Sequence, residues 1–207
     1  MQQRSELPPP ALLSLVLVWA VGFIVSGIAP YDRATWLMEV APCLVALPVL
    51  WWTRYRFRFS TLAYTLITVH GLILMLGGAY TYARVPLGFW MQDWFHLARN
   101  DYDKIGHFAQ GFVPALVTRE ILSRIFRLRP RRLVTFLCVA VALAISAFYE
   151  LIEWWSALAL GSGADEFLGT QGDPWDTQSD MFMALIGAVC ALLLLGRVHD
   201  RSMAALK

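Results

Sequence analysis

The chain lacks most of the features that mark soluble enzymes. Only 15% of its residues are charged, and its three cysteines, Cys43, Cys138 and Cys190, each sit inside an apolar run with no CxxC pair. That arrangement argues against a disulfide framework and against a zinc site built on thiolates. No GxSxG, HExxH or phosphate-cradling glycine loop occurs, so the common signatures of hydrolases, zinc proteases and nucleotide-binding folds are missing. There are no internal repeats, heptads or low-complexity tracts, which leaves inverted-repeat transporters and coiled coils without support. Basic residues occupy short turns rather than one face, and nucleic acid is therefore not an expected partner.

What the chain has in abundance is apolar sequence. At 207 residues, 58% hydrophobic and with a mean hydropathy of +0.54, it carries more apolar surface than a single soluble domain can hide. The bilayer is its expected solvent. Six segments are long and apolar enough to cross a membrane core about 30 Å thick: residues 12–30, 36–53, 60–82, 107–125, 133–157 and 181–197. The fourth is the weakest, because Gln110, Arg119 and Glu120 interrupt it, and a re-entrant segment there would leave five full spans. The first run is longer than a signal-peptide core and is read as a retained span. The sequence therefore predicts one all-α domain over residues 1–207, a polytopic helical bundle.

Orientation follows from lysine and arginine. All 17 basic residues except Arg33, Arg84, Arg99 and Lys104 fall on one side of this six-span arrangement, and the positive-inside rule puts that side, with both termini, in the cytoplasm. Of the 15 acidic residues, all but Glu6, Glu120 and Asp200 fall at the opposite, periplasmic face. Between the third and fourth spans, Trp90, Trp94 and Leu97 share a helical face with Asp93 and His96 beside it. This segment reads either as a short amphipathic helix in the outer interface or as an irregular loop with aromatic anchors.

The periplasmic ends of the spans collect titratable groups from distant parts of the chain. Asp32 and Glu39 belong to the first outer turn and second span, and Tyr80 and Tyr82 end the third. Asp103, Lys104 and His107 open the fourth, Glu150 and Glu153 end the fifth, and Asp173, Asp176, Gln178 and Asp180 precede or open the sixth. Residues three or four apart share a helix face, so Asp103 with His107, Glu150 with Glu153, and Asp176 with Asp180 form three pairs. Carboxylates at this depth are unfavourable to bury and mark functional positions by default.

Three chemistries suit this set. Oxygen and imidazole donors fit a divalent metal, with His107, Asp176 and Asp180 as ligands. Clustered carboxylates also serve proton transfer, with Glu150, Glu153, Asp103 and Lys104 in catalytic roles. Alternatively, Lys104 and Arg99 pair with Glu150, Glu153 or Asp180 in a salt-bridge network that only sets helix register. Tyr80, Trp90, Trp94 and Trp175 are candidates for binding an amphiphilic substrate, a lipid or an isoprenoid-linked envelope ligand. The glycine-rich loop before the last span carries Phe167, Leu168 and Trp175, and reads as a lid or a flexible connector. His70, in mid-span, is expected to bond a neighbouring helix or act as a ligand. Glu120 with Arg119 and Arg124 reads as an inner-edge ion pair.

The motifs YDRATWLMEVAP, GGAYTYARVPLGFW, RNDYDKIGHFAQGFVPALVTRE, ELIEWWSALALG and ADEFLGTQGDPWDTQSDMF resemble the YjdF family of bacterial inner-membrane proteins over nearly the whole chain. That resemblance implies a multi-pass inner-membrane protein and brings no assigned chemistry. More distantly, Asp103, Lys104 and His107, then Glu150, then Asp180 and Gly187 are similar to a pattern in VanZ-like membrane proteins, which are associated with glycopeptide (teicoplanin) resistance. The VanZ-like pattern has Gln where this chain has Glu153, and Asn where it has Ala184. This similarity implies a shared core of the last three spans and a role at the cell envelope.

Overall fold

The computed structural model describes residues 10–160 and 170–206, and every regular element among them is helical. In chain order these are α1 (Pro10–Ile28), α2 (Arg33–Thr53), α3 (Thr61–Tyr80), a short 3-10 turn (Tyr82–Arg84), α4 (Pro86–Phe95), α5 (Tyr102–Arg124), α6 (Arg131–Leu160) and α7 (Asp176–Ala204). Four of them, α2, α3, α6 and α7, are long and apolar enough to cross a membrane, and α1 is a shorter apolar helix. The fourth apolar segment becomes α5, one uninterrupted helix of 23 residues that is too polar to qualify by composition. Its polarity is accommodated by position: α5 packs against α3, α6 and α7 at the centre of the bundle.

The ends of the helices differ from the apolar runs in a consistent way. α5 begins at Tyr102 and α7 at Asp176, each about one turn earlier than hydropathy alone places them, and α7 continues to Ala204. Hydropathy stops at the first charge, whereas a helix continues while its backbone bonds are satisfied and its charged residues find partners. Asp103, Lys104, His107, Asp176 and Asp180 therefore all project from rigid helix. α2 begins where Asp32 accepts a 2.7 Å hydrogen bond from Thr35 N, and α3 where Ser60 accepts one from Ala63 N at 3.3 Å.

Two groups of helices can be distinguished. In one, α3 packs on both α1 and α2, burying Trp19, Val40, Cys43 and Met75. In the other, α5, α6 and α7 pack together around Ala115, Leu116, Val134, Cys138, Ala142, Ala188 and Ala191. In lipid there is little hydrophobic drive between helices, so close packing of small residues and interhelical hydrogen bonds hold such a bundle. The α5–α7 crossing shows this most directly. A Cβ at Gly111 would lie 1.8 Å from the Ala184 carbonyl oxygen, and one at Gly187 would lie 2.1 Å from that of Phe108. Only glycine permits this approach, and it brings the first turns of α5 and α7 face to face.

Between α3 and α5 the chain forms α4, whose Phe89, Trp90, Trp94 and Phe95 are exposed. His96 ends the helix in the left-handed region at φ 53°, so Leu97 leaves the face that it was expected to share with Trp90 and Trp94. Of the proposed lid, Phe167 and Leu168 lie outside the described residues, and Trp175 is 68% exposed. The described end of that connection is nevertheless docked. Gln171 exchanges two hydrogen bonds with the Asn100 backbone, at 3.3 and 2.8 Å. Asn100, itself buried, bonds the Val85 carbonyl at 3.0 Å and caps Tyr102 N at 3.1 Å.

Candidate functional site

His107 is the centre of the polar cluster. On a helix, the residues four before and three after it share its face, and these are Asp103 and Gln110. Nε2 of the imidazole lies 3.3 Å from Asp103 Oδ1 and 3.8 Å from Asp180 Oδ2 on α7. Nδ1 is 3.1 Å from Gln110 Oε1 and 3.7 Å from Glu150 Oε1 on α6. One donor atom from each of Asp103, His107 and Asp180 falls within 4.8 Å of the others, and the same holds for His107, Glu150 and Glu153. Asp103, His107, Glu150 and Asp180 are all buried. The set of Asp103, His107, Glu150, Glu153 and Asp180 is therefore brought together from three helices.

The cationic half of the cluster is organised differently. Lys104 Nζ donates to Asp180 Oδ1 at 2.6 Å, Ser179 Oγ at 2.7 Å and Asp176 Oδ1 at 2.9 Å, which uses all three ammonium protons. Arg99 donates to the same Asp176 oxygen and to the Thr170 carbonyl, and its Nε reaches Asp101 Oδ1 at 3.1 Å. Burial alone would lower the Arg99 pKa, but the hydrogen bond and charge of Asp176, with Asp101 and Asp103, raise it above its ordinary value. Of the expected pairings, that of Lys104 with Asp180 is present; Lys104 also takes Asp176, Arg99 takes Asp176 and Asp101, and neither pairs with Glu150 or Glu153. Asp176, although aligned with Asp180 on α7, has its Oδ1 held by two cations.

The acidic half is left short of donors. Asp103 Oδ2 and Glu150 Oε1 are buried without a hydrogen-bond partner. The nearest cationic groups, Lys104 Nζ at 3.8 Å from Asp103 Oδ2 and His107 Nδ1 at 3.7 Å from Glu150 Oε1, lie beyond hydrogen-bond distance, and buried carboxylate oxygens left this way around one imidazole call for an explanation. Glu39, buried on α2, reaches the cluster indirectly. It accepts a 3.0 Å hydrogen bond from Tyr149 Oη, and the Tyr149 ring packs edge-on to His107 with centroids 6.4 Å apart. Gln110 and Tyr149 are contributors that sequence reading did not single out. Their only signals are the i+3 spacing of Gln110 from His107 and the adjacency of Tyr149 to Glu150.

The aromatic candidates lie outside this network. Tyr80, Trp90, Trp94 and Trp175 are exposed, and none of them forms a side-chain hydrogen bond with the cluster among the described residues. His70, in mid-helix on α3, has its Nε2 buried without a hydrogen-bond partner. The three cysteines are free, with Cys43 and Cys138 buried in apolar packing, as their positions suggested.

A second polar cluster lies at the other end of the α5–α7 pair, about 20 Å away by helix rise. Glu120 is fully buried there; its Oε1 accepts from Ser60 N at 2.8 Å and from Arg124, and its Oε2 from Ser60 Oγ at 2.6 Å and His199 Nε2 at 3.0 Å. Arg119 faces His199 Nδ1 at 3.3 Å and pairs with Asp200 at 2.6 Å. The expected ion pair of Glu120 with Arg124 is present, whereas Arg119 serves Asp200 instead. His199 was not anticipated, because it falls beyond the last apolar run.

Residues 11–201 match a family described as "Predicted membrane protein (DUF2238)", and the chain belongs to that family. It is 55% identical over 197 residues to the inner membrane protein YjdF of Escherichia coli (strain K12), a match covering 95% of this chain and 94% of that protein. No solved structure matches. Membership and the apolar helices together make this a membrane protein with several candidate spans.

Proposed function

We propose that this DUF2238 protein is a six-span inner-membrane protein, both termini cytoplasmic, whose periplasm-facing cluster binds a divalent cation and acts on a lipid or isoprenoid-linked envelope substrate. The placement is supported by the shared level of the cluster residues, at the start of α5 and α7 and near the end of α6, with most arginines at the opposite end. As the central helix of the bundle, α5 provides a crossing segment whose polar residues are shielded from lipid by its neighbours. Exposed Trp90 and Trp94 on α4 suit a helix lying at headgroup depth, where Tyr80 and Trp175 would also meet an amphiphile.

The observation that carries the reading is that one donor atom from each of buried Asp103, His107 and Asp180 falls within 4.8 Å of the others, with Asp103 Oδ2 lacking a hydrogen bond. These two carboxylates and the imidazole fit a hard to borderline divalent cation, which would supply Lewis acidity at the site. Glu150 and Glu153 would move protons, Lys104 and Arg99 would hold α7 in register, and Tyr149 would brace the imidazole. The residues similar to the VanZ-like pattern, Asp103, Lys104, His107, Glu150 and Asp180, all lie in this cluster, which suits an envelope role.

The test is metal analysis of purified protein in lipid nanodiscs, beside a His107→Ala variant. About one equivalent of bound divalent cation, lost in the variant, is the expected result. Protein that takes up neither Mn²⁺ nor Zn²⁺ after chelator treatment would overturn the reading. A second reading, a non-enzymatic binding or assembly protein in which the cluster is a salt-bridge network, is favoured by one observation: all three Lys104 protons are already committed. It predicts no cation dependence and unchanged lipid pools in a deletion strain.

A further inference from the structure

The end of the bundle that holds Glu120 also holds a cavity of about 220 Å³. Leu12 and Leu15 of α1, Tyr64 of α3 and Leu206 form most of its apolar wall, and Arg58 and Thr61 supply its polar side. The Glu120 network builds this wall from behind. Arg124 donates to the Arg58 carbonyl at 2.6 Å, and Glu120 accepts from Ser60 N at 2.8 Å and Ser60 Oγ at 2.6 Å, so the turn that carries Arg58 is fixed. Ser202 Oγ accepts from Leu62 N at 3.2 Å, which docks the end of α7 on the start of α3 and brings Leu206 to the cavity. The carbonyl of Arg58 is thus committed, but its guanidinium has no hydrogen bond and no carboxylate partner among the described residues. The acids nearby are engaged elsewhere: both oxygens of Glu120 accept hydrogen bonds, and Asp200 pairs with Arg119 at 2.6 Å.

A guanidinium without a partner, set in a mainly apolar cavity that no carboxylate lines, suits a ligand that is anionic at one end and hydrocarbon at the other. Beside the cavity, Leu13, Val16 and Leu17 of α1 are exposed, in a chain that belongs to a membrane-protein family. A hydrocarbon tail leaving past Leu12 and Leu15 therefore continues along a surface that lipid covers. We propose that this cavity binds one anionic phospholipid, with its phosphate on the Arg58 guanidinium and the Thr61 hydroxyl and one acyl chain along Leu12 and Leu15. A zwitterionic headgroup fits less well, because its ammonium needs an acceptor and the lining has no carboxylate to offer. The backbone at the start of α3 adds little, since Leu62 N and Ala63 N already donate to Ser202 Oγ and Ser60 Oγ. Selectivity for the anion rests with Arg58, which the Glu120 network holds in place before any lipid arrives. The site lies at the opposite end of α5 from His107 and does not depend on the cation reading.

The experiment is native mass spectrometry of the full chain released from detergent micelles, titrated with dioleoyl phosphatidylglycerol, dioleoyl phosphatidylethanolamine or inorganic phosphate. The wild type should retain one phosphatidylglycerol per chain about tenfold more tightly than phosphatidylethanolamine, and excess inorganic phosphate should not displace it. Arg58→Ala should weaken retention about tenfold without moving the unfolding midpoint of the lipid-free protein, and Arg58→Lys should restore most of it. Arg56→Ala, an exposed neighbour outside the lining, should change retention less than about twofold. Leu15→Trp, which fills the apolar half, should lower retention of phosphatidylglycerol even with Arg58 in place. A variant lacking residues 2–9 should bind as the wild type does. Equal retention of the two phospholipids, or retention that survives Arg58→Ala, makes the bound lipid a non-specific one and overturns the proposal. Displacement by inorganic phosphate would make the cavity a site for a soluble anion, and binding that appears only without residues 2–9 would make the chain's own N-terminus its occupant; either result overturns the proposal as well.

Discussion

The two ends of the α5–α7 pair each hold a histidine among carboxylates, and they resolve it in opposite ways. At the Glu120 cluster His199 donates from Nε2 to Glu120, meets Arg119 at Nδ1, and leaves no oxygen of Glu120 without a donor. At the His107 cluster the imidazole has one nitrogen on an amide and the other between two aspartates, while Asp103 and Glu150 each keep an oxygen without a hydrogen bond. Between them lies the apolar layer of Ala115, Leu116, Cys138, Ala142, Ala188 and Ala191. A closed network fixes helix register, whereas an open one retains donor capacity for something else. The same two helices thus carry a structural polar site and a candidate functional one.

Mutation should separate them by sign. The largest effect is expected for Glu120→Ala, which strands Ser60, His199 and Arg124 in one step. Loss of a buried partner of this kind is destabilising by about 3–5 kcal/mol, measured as a fall in unfolding midpoint in detergent, and divalent cations should not rescue it. Next comes Gly111→Ala, whose Cβ would meet the Ala184 carbonyl oxygen at 1.8 Å. Separating the helices should destabilise by about 1–3 kcal/mol and weaken any cation binding at the His107 end while leaving the Glu120 network closed. At the His107 cluster the sign reverses. Glu150→Gln removes a buried charge whose Oε1 has no hydrogen-bond partner, and the ion-free protein should become about 1 kcal/mol more stable while keeping any stabilisation by Mn²⁺. A loss of stability there instead would make the His107 cluster a second structural network and favour the salt-bridge reading.

The smallest effect is a control outside both clusters. Asp32 caps α2 through Thr35 N, and that hydrogen bond holds its carboxyl below the ordinary value of 3.8. Because the folded-state pKa is the lower one, the cap stabilises fully above pH 3.8, and its contribution fades as pH falls through the depressed value. Asp32→Ala should lose about 1 kcal/mol at pH 7 and nothing in acid, with Mn²⁺ binding unaffected. Comparing its unfolding midpoint at the two pH values checks this.

Much of this arrangement was legible before any coordinates. The pairs Asp103 with His107 and Glu150 with Glu153 follow from helical spacing, and their common level follows from counting charges around apolar runs. The pairing of Glu120 with Arg124 is an i, i+4 contact and was equally visible. What escaped was whatever depends on a neighbouring helix. His199 and Ser60 reach Glu120 from opposite parts of the chain, Tyr149 reaches Glu39 across helices, and Lys104 chose Asp176 over Glu150. Hydropathy also misjudged where α5 and α7 begin, because it registers a charge as an end even when that charge is paired.

The sequence alone determined that this is a helical membrane protein with acidic and imidazole groups concentrated at one end of its apolar runs, because periodicity and composition are local properties. Only the tertiary structure decided which carboxylates face which nitrogen of His107. That outcome depends on Gly111 and Gly187 letting α5 and α7 touch backbone to backbone, and on Gln110 occupying Nδ1. Contact across helices is set by packing distance and side-chain direction, which no spacing along a single chain encodes.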